Sequence, residues 1–164
     1  MRRKILIVSD SHGKEENLRK AVANMAGTMD GMIHLGDSLC SPERMEEIAG
    51  CPVEMVRGNC DGSLYGLPGS KLIEIGPYKA FLTHGHQFGG AWGVESMKEA
   101  ARENGAQLVM FGHTHEPMIE PYGDVAVINP GSISQPRQEG RRPTYVVMNI
   151  EEDGSADYVL VHLS

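Results

Sequence analysis

The chain predicts an α/β fold: two sheets packed together with helices outside, an α/β/β/α sandwich. Three observations predict it. The first half alternates apolar, strand-like runs with amphipathic helical segments, which implies right-handed crossovers and a largely parallel sheet. The second half changes rhythm, and after one helix several strands crowd together. The composition is that of an ordinary globular protein, with 40% hydrophobic and 23% charged residues. Its 164 residues fit a single domain, 1–164, large enough to bury a core without disulfides.

The elements follow in order. Lys4 to Ser9 is an apolar run of β-branched and leucine residues that suits a buried strand. From Glu15 to Met25, Leu18, Val22 and Met25 recur at helical spacing, with Gly27 as the stop. Gly31 to Leu35 is a second strand, and Pro42, suited to a first helical turn, opens a helix to Ala49. Val53 to Val56 is a third strand. Lys71 to Ile75 and Lys79 to Thr83 flank Gly76-Pro77 as a hairpin. Val94 to Glu103 reads as a helix and Gln107 to Phe111 as a strand. Val125 to Ile128, Thr144 to Ile150 and Tyr158 to His162 complete the strands, with a turn at Glu152-Asp153-Gly154. Nothing in the chain repeats, and no linker or low-complexity tract divides it.

Charge and composition exclude several classes of function. The formal net charge of −7 argues against broad, salt-driven binding to nucleic acid, which needs a basic face. No stretch approaches the ~20 apolar residues of a membrane span. The opening Met1-Arg2-Arg3-Lys4 faintly resembles a secretory leader, but the apolar run after it, Ile5 to Val8, falls short of the ~7–15 residues such a leader needs. Cys40, Cys51 and Cys60 are an odd number without CxxC pairing, which points to free thiols in a reducing compartment. A cytoplasmic location is expected, and a homo-oligomer is compatible with the sequence.

The chemistry lies in five short segments, almost all beside a glycine: Asp10-Ser11-His12-Gly13, Gly36-Asp37, Gly58-Asn59-Cys60-Asp61, His84-Gly85-His86 and Gly112-His113-Thr114-His115. Singly, each reads as a turn or a cap. Together, each after a predicted strand, they place carboxylate, amide and imidazole groups at strand ends, where open α/β sheets put their ligands. Extended residues two apart share a face, so Asp10 and His12 can address one ion. Asp37 can bridge two. Such a donor set suits Mn, Fe, Zn, Co or Ni better than Ca or Mg alone. Two divalent ions would polarise a phosphoryl group and generate hydroxide near neutral pH. The expected partner is a small phosphoester substrate, drawn in by the ions and not by the acidic surface.

In this order, Asp10-x-His12, Gly36-Asp37, Gly58-Asn59, His84-Gly85 and Gly112-His113-x-His115 resemble the calcineurin-like metallophosphoesterase family. Gly58-Asn59-Cys60-Asp61, Thr83-His84-Gly85-His86 and Asn129-Pro130-Gly131-Ser132 look closest to its small bacterial and archaeal phosphodiesterase branch. The resemblance implies a two-sheet fold and a dinuclear site, manganese first, with Ni, Zn, Co, Fe or Mg as alternatives. It implies that Asp10, His12, Asp37 and His115 hold one ion, while Asp37, Asn59, His84 and His113 hold the other. Asn59 is also a candidate substrate contact.

One position departs from the family. Where many members carry His after the motif Asn, this chain has Cys60, a poor proton donor. Cys60 is expected to serve packing or spacing, and the enzyme to favour leaving groups that depart unprotonated. His86 is the candidate acid or phosphate contact. Arg137, clustered with Arg141 and Arg142 in a polar loop, is a candidate substrate contact. His34 is read as a core or supporting residue and Asp61 as a loop-holding one. Trp92, in a glycine-rich segment, is read as a lip or a packing anchor. The predicted function is a phosphoester hydrolase, on diesters before monoesters. The alternatives are a monoesterase or nucleotide pyrophosphatase, and a protein-interaction scaffold such as the retromer subunit this branch resembles.

Overall fold

The computed structural model describes residues 2–164. Strands β1 (Arg3–Val8), β2 (Gly31–His34) and β3 (Val53–Met55) are joined by helices α1 (Glu16–Asn24) and α2 (Pro42–Ala49). A hairpin, β4 (Ser70–Ile75) and β5 (Tyr78–Thr83), is followed by helix α3 (Val94–Glu103). Then come β6 (Leu108–Met110), β7 (Pro117–Glu120), β8 (Ala126–Pro130), β9 (Thr144–Ile150) and β10 (Ala156–His162).

The strands form two five-stranded sheets, ordered β10-β9-β1-β2-β3 and β4-β5-β6-β8-β7. In the first, β1, β2 and β3 are parallel, while β9 and β10 add to it antiparallel. In the second, β5, β6 and β8 are parallel, flanked by antiparallel β4 and β7. The parallel run expected of the first half is present in β1, β2 and β3, and antiparallel strands added at the edges make both sheets mixed. Helices join β1, β2 and β3 and link β5 to β6, while the antiparallel pairs β9–β10, β4–β5 and β7–β8 need no crossover helix. Strand β7 was not anticipated. It follows the His115 loop directly, begins on Pro117 and has only four residues.

Burial explains the layering. Ile5 and Ile7 of β1 face the second sheet and join Leu82, Met110, Ile128 and Met148 in a core between the sheets. Leu6 and Val8 face the other way, onto Leu18, Ala21, Met45 and Ile48 of α1 and α2. Helix α3 covers the second sheet's outer face, with Met97 and Ala101 against Val109, Phe111 and Val127. The result is the α/β/β/α sandwich, and both faces of its central strands are buried, as parallel strands require. Among the described residues, seven methionines, Met32, Met45, Met97 and Met110 among them, are buried and serve as core filler. Among the described residues, no helix is long and apolar enough to cross a membrane.

Candidate metal centre

The carboxyl ends of β1, β2, β3, β5 and β6 converge on one spot, and the candidate ligands follow them. Asp10 and His12 come after β1, Asp37 after β2, Asn59 after β3, His84 after β5, and His113 and His115 after β6. The oxygen donors thus all hang from the first sheet, and three of the four imidazoles from the second.

Asp10 is fully buried, and its two oxygens have different surroundings. Oδ2 accepts from Ser9 Oγ at 2.5 Å and from the His113 backbone N–H at 3.1 Å. Oδ1 has no hydrogen-bond partner and lies 3.2 Å from His115 Nε2, 3.7 Å from His12 Nε2 and 3.7 Å from His84 Nε2. Asp37 is oriented in the same way. Its Oδ1 accepts from the Cys60 N–H at 2.8 Å, leaving Oδ2 at 3.2 Å from His84 Nε2 and 3.8 Å from His12 Nε2.

Hydrogen bonds on the far side of two rings fix which nitrogen looks inward. His84 Nδ1 donates to the Leu35 carbonyl at 2.7 Å, and His115 Nδ1 to the Gln135 carbonyl at 2.6 Å. In the neutral ring the inward Nε2 then carries a lone pair, aimed at carboxylate oxygens. Buried lone pairs facing one another without a donor are costly. A cation is the group that satisfies them, and three sets of ligand atoms lie close enough to share one: Asp10, His12 and His115; Asp10, Asp37 and His84; and His12, Asp37 and Cys60. Without an ion the electrostatics are partly met by protons. Burial opposes the charge on Asp10, but hydrogen bonds from His115 and His12 and the nearby His84 outweigh it and hold its carboxyl well below the usual range. Burial is likewise outweighed at Asp37, lowered by its bond to His84, and at His84, raised by Asp37. A divalent ion would displace that proton.

The remaining candidates are placed unevenly. Asn59 Oδ1 and His113 Nδ1 lie 3.2 Å apart at the edge of this cluster, with the His113 ring 5.1 Å from that of His84. His86 stands above them, its ring 5.4 Å from His84 and 6.1 Å from His113, with Nδ1 buried and unpartnered. Burial and the two neighbouring histidines lower its pKa and so favour the neutral ring. Arg137 is exposed, and only its backbone touches the site, its N–H donating to the His115 carbonyl at 3.0 Å. Arg142 points elsewhere, binding the His162 and Leu163 carbonyls.

Two expectations need correction. Cys60 is exposed and cannot serve packing. Trp92 is 97% exposed, which rules out an anchor. The reason offered for Asp10 and His12 sharing one focus also fails, because neither is extended. Five of the seven candidate ligands, Asp10, His12, Asp37, His113 and His115, adopt left-handed φ between 49° and 68°. For residues with side chains this costs free energy and persists only where surrounding structure enforces it, a pattern found at functional sites.

Among the enforcing groups, Asp61 and His34 have the loop-holding and supporting roles expected of them, whereas no role was expected of Asn129 and Ser132. Asp61 accepts from the backbone N–H groups of Asp37 (2.8 Å), Gly58 (2.6 Å) and Leu39 (2.9 Å). His34, fully buried, accepts from the Gly36 N–H at Nδ1 and donates from Nε2 to Ser11 Oγ at 2.9 Å. Asn129 donates to the Gly112 carbonyl and to Thr114 Oγ1, and Ser132 Oγ to the Asp10 carbonyl. The signal for the last two was present, in Asn129-Pro130-Gly131-Ser132.

A strand-end cluster of carboxylates and imidazoles is a candidate metal centre, and comparison with known proteins gives the family it belongs to. Residues 3–153 match the Calcineurin-like phosphoesterase superfamily domain, and the chain belongs to that family, whose members use divalent metals. It is 35% identical to the probable metallophosphoesterase YsnB of Bacillus subtilis, over 92% of this chain and 86% of that one. It is 34% identical to the phosphodiesterase MJ0936 of Methanocaldococcus jannaschii, over 78% and 82%. The fold matches Vacuolar Protein Sorting 29 from Cryptosporidium parvum with a TM-score of 0.76 at 19% identity, over 99% and 98% of the two chains.

Proposed function

We propose that the whole chain, 1–164, is one phosphodiesterase unit with a dinuclear metal centre, manganese being the first candidate for its ions. The observation that carries this is the pair of imidazoles, His84 and His115, whose Nδ1 atoms are bound to backbone carbonyls and whose Nε2 atoms face buried carboxylate oxygens. Asp10, His12, Asp37 and His115 would hold one ion, and Asp37, Asn59, His84 and His113 the other. When bound, such ions polarise the phosphoryl group and lower the pKa of the attacking water. The protein's own contribution is positioning. Asp37, locked by the Cys60 N–H, fixes the spacing of the two seats. His86 offers an N–H to a phosphoryl oxygen, Asn59 its side-chain amide, and Arg137 an exposed positive charge from the neighbouring loop. A diester with a good leaving group is the preferred substrate. No imidazole follows Asn59, and burial together with Asp37 pushes the Cys60 thiol's pKa up, so it is a poor acid at the leaving oxygen. The relative named as a phosphodiesterase supports the same choice.

The test is hydrolysis of an aryl phosphodiester and an aryl monoester by metal-free protein reloaded with Mn, Ni, Zn or Mg. Turnover is expected only after reloading, and faster on the diester. Activity that survives exhaustive chelation overturns the metal reading. Stoichiometric ions without turnover would favour the interaction scaffold.

A further inference from the structure

We infer that Cys60 is itself a metal ligand: its sulfur joins His12 and Asp37, at the exposed side of the centre, as an added donor to the divalent ion those two residues share. The inference rests on reading the site as a metal centre and adds to it a donor of different chemistry. Ligand atoms of His12, Asp37 and Cys60 all lie within 4.8 Å of one another. Donors bound about 2.0–2.3 Å from a single tetrahedral ion sit roughly 3.3–3.7 Å apart. The group therefore has to close by no more than about 1–1.5 Å, within reach of side-chain rotation.

The placement of the sulfur is built in. The Cys60 N–H donates to Asp37 Oδ1 at 2.8 Å, tying the residue's backbone to the carboxylate that would share the ion. The sulfur has a long contact, 3.6 Å, from Asn59 Nδ2 and its thiol faces the Asp37 carboxylate. A second, independent observation points to a cation here. Asp10 Oδ1 and His84 Nε2 are buried and unpartnered, and His84 Nε2 looks at the same Asp37 oxygen that faces His12. Cys40 and Cys51, by contrast, are half buried against the helices that cover the first sheet.

Binding replaces the S–H bond with a sulfur–metal bond, and the displaced proton leaves to solvent. The oxygen and nitrogen donors accept Mn or Mg readily, whereas a thiolate selects softer ions such as Zn, Cd or Co. The seat would make the centre discriminate between these two groups of ions.

The experiment titrates metal-free full-length protein with Co(II) and records the near-ultraviolet sulfur-to-cobalt charge-transfer band, with cobalt content from elemental analysis. The band is expected in the parent and in Cys40→Ser and Cys51→Ser, and its loss is expected in Cys60→Ser. Cobalt bound by the parent without the band, or a band that persists in Cys60→Ser, overturns the inference and leaves the metal centre standing. No cobalt bound at all overturns the metal-centre reading, and this inference with it.

Discussion

Asp37 contributes to the site at every level. Its N–H is held by Asp61, one oxygen by the Cys60 N–H, and the other oxygen faces two imidazoles. Asp37→Asn keeps the shape but removes the negative charge and can turn an N–H₂ toward the ions. We predict loss of at least one ion per chain and a fall in turnover of about 10²-fold or more, the scale on which removal of a charge-stabilising group is felt. Elemental analysis alongside kinetics checks this, and full occupancy with parental turnover would remove Asp37 from the bridging position. Residues of this kind were legible in the sequence because their chemistry is rare in ordinary turns and recurs five times beside glycine. What the sequence hid was the backbone: nothing in Asp10-Ser11-His12 announces two left-handed residues, since that conformation is imposed by remote partners.

Among elements, the tightest dependence is between the β2 and β3 loops. A Cβ placed on Gly58 would overlap the Asp37 carboxylate and its backbone nitrogen. The constraint is space, because nothing at Gly58 requires a left-handed backbone. Gly58→Ala should therefore displace Asp37 without touching any ligand by name. The expected outcome is an ion deficit like that of Asp37→Asn, with a stability loss of about 1–3 kcal/mol from overpacking. Urea unfolding and elemental analysis on one preparation test both parts, and a variant that binds ions normally would show the loops to be more yielding than this packing implies. Most elements were readable, since α1, α2 and α3 carry buried residues at helical spacing and Gly76-Pro77 makes the hairpin turn between Ile75 and Tyr78. Strand β7 was not, because Pro117-Met118-Ile119-Glu120 is too short to show a period. It is a strand only because β8 offers it a partner.

For the whole molecule, His34 links stability to pH. Burial, the largest influence, lowers its pKa from 6.5 to about 4 in the folded protein. The unfolded chain then binds more protons between those values, so the stabilising contribution is complete above pH 6.5 and is lost as pH falls toward 4. Between pH 7 and pH 5, metal-free parent protein should lose about 2 kcal/mol more stability than His34→Gln, whose amide does not titrate. Chemical denaturation of both proteins at the two pH values measures the difference, and equal losses would mean that His34 takes up its proton without unfolding.

The two sheets meet at the centre with different gifts, carboxylate and amide oxygens from one and mostly imidazoles from the other. Between them lies an apolar interface of Ile5, Ile7, Leu82, Met110 and Ile128. Such an interface resists separation strongly but resists sliding only through the interlocking of its side chains. Donor-to-donor spacing at the strand ends is therefore set by the shear of one layer against the other. An ion would act as a clasp on that motion. Its fit, and the reactivity that depends on it, would be tuned by methyl groups deep in the sandwich that no substrate ever meets.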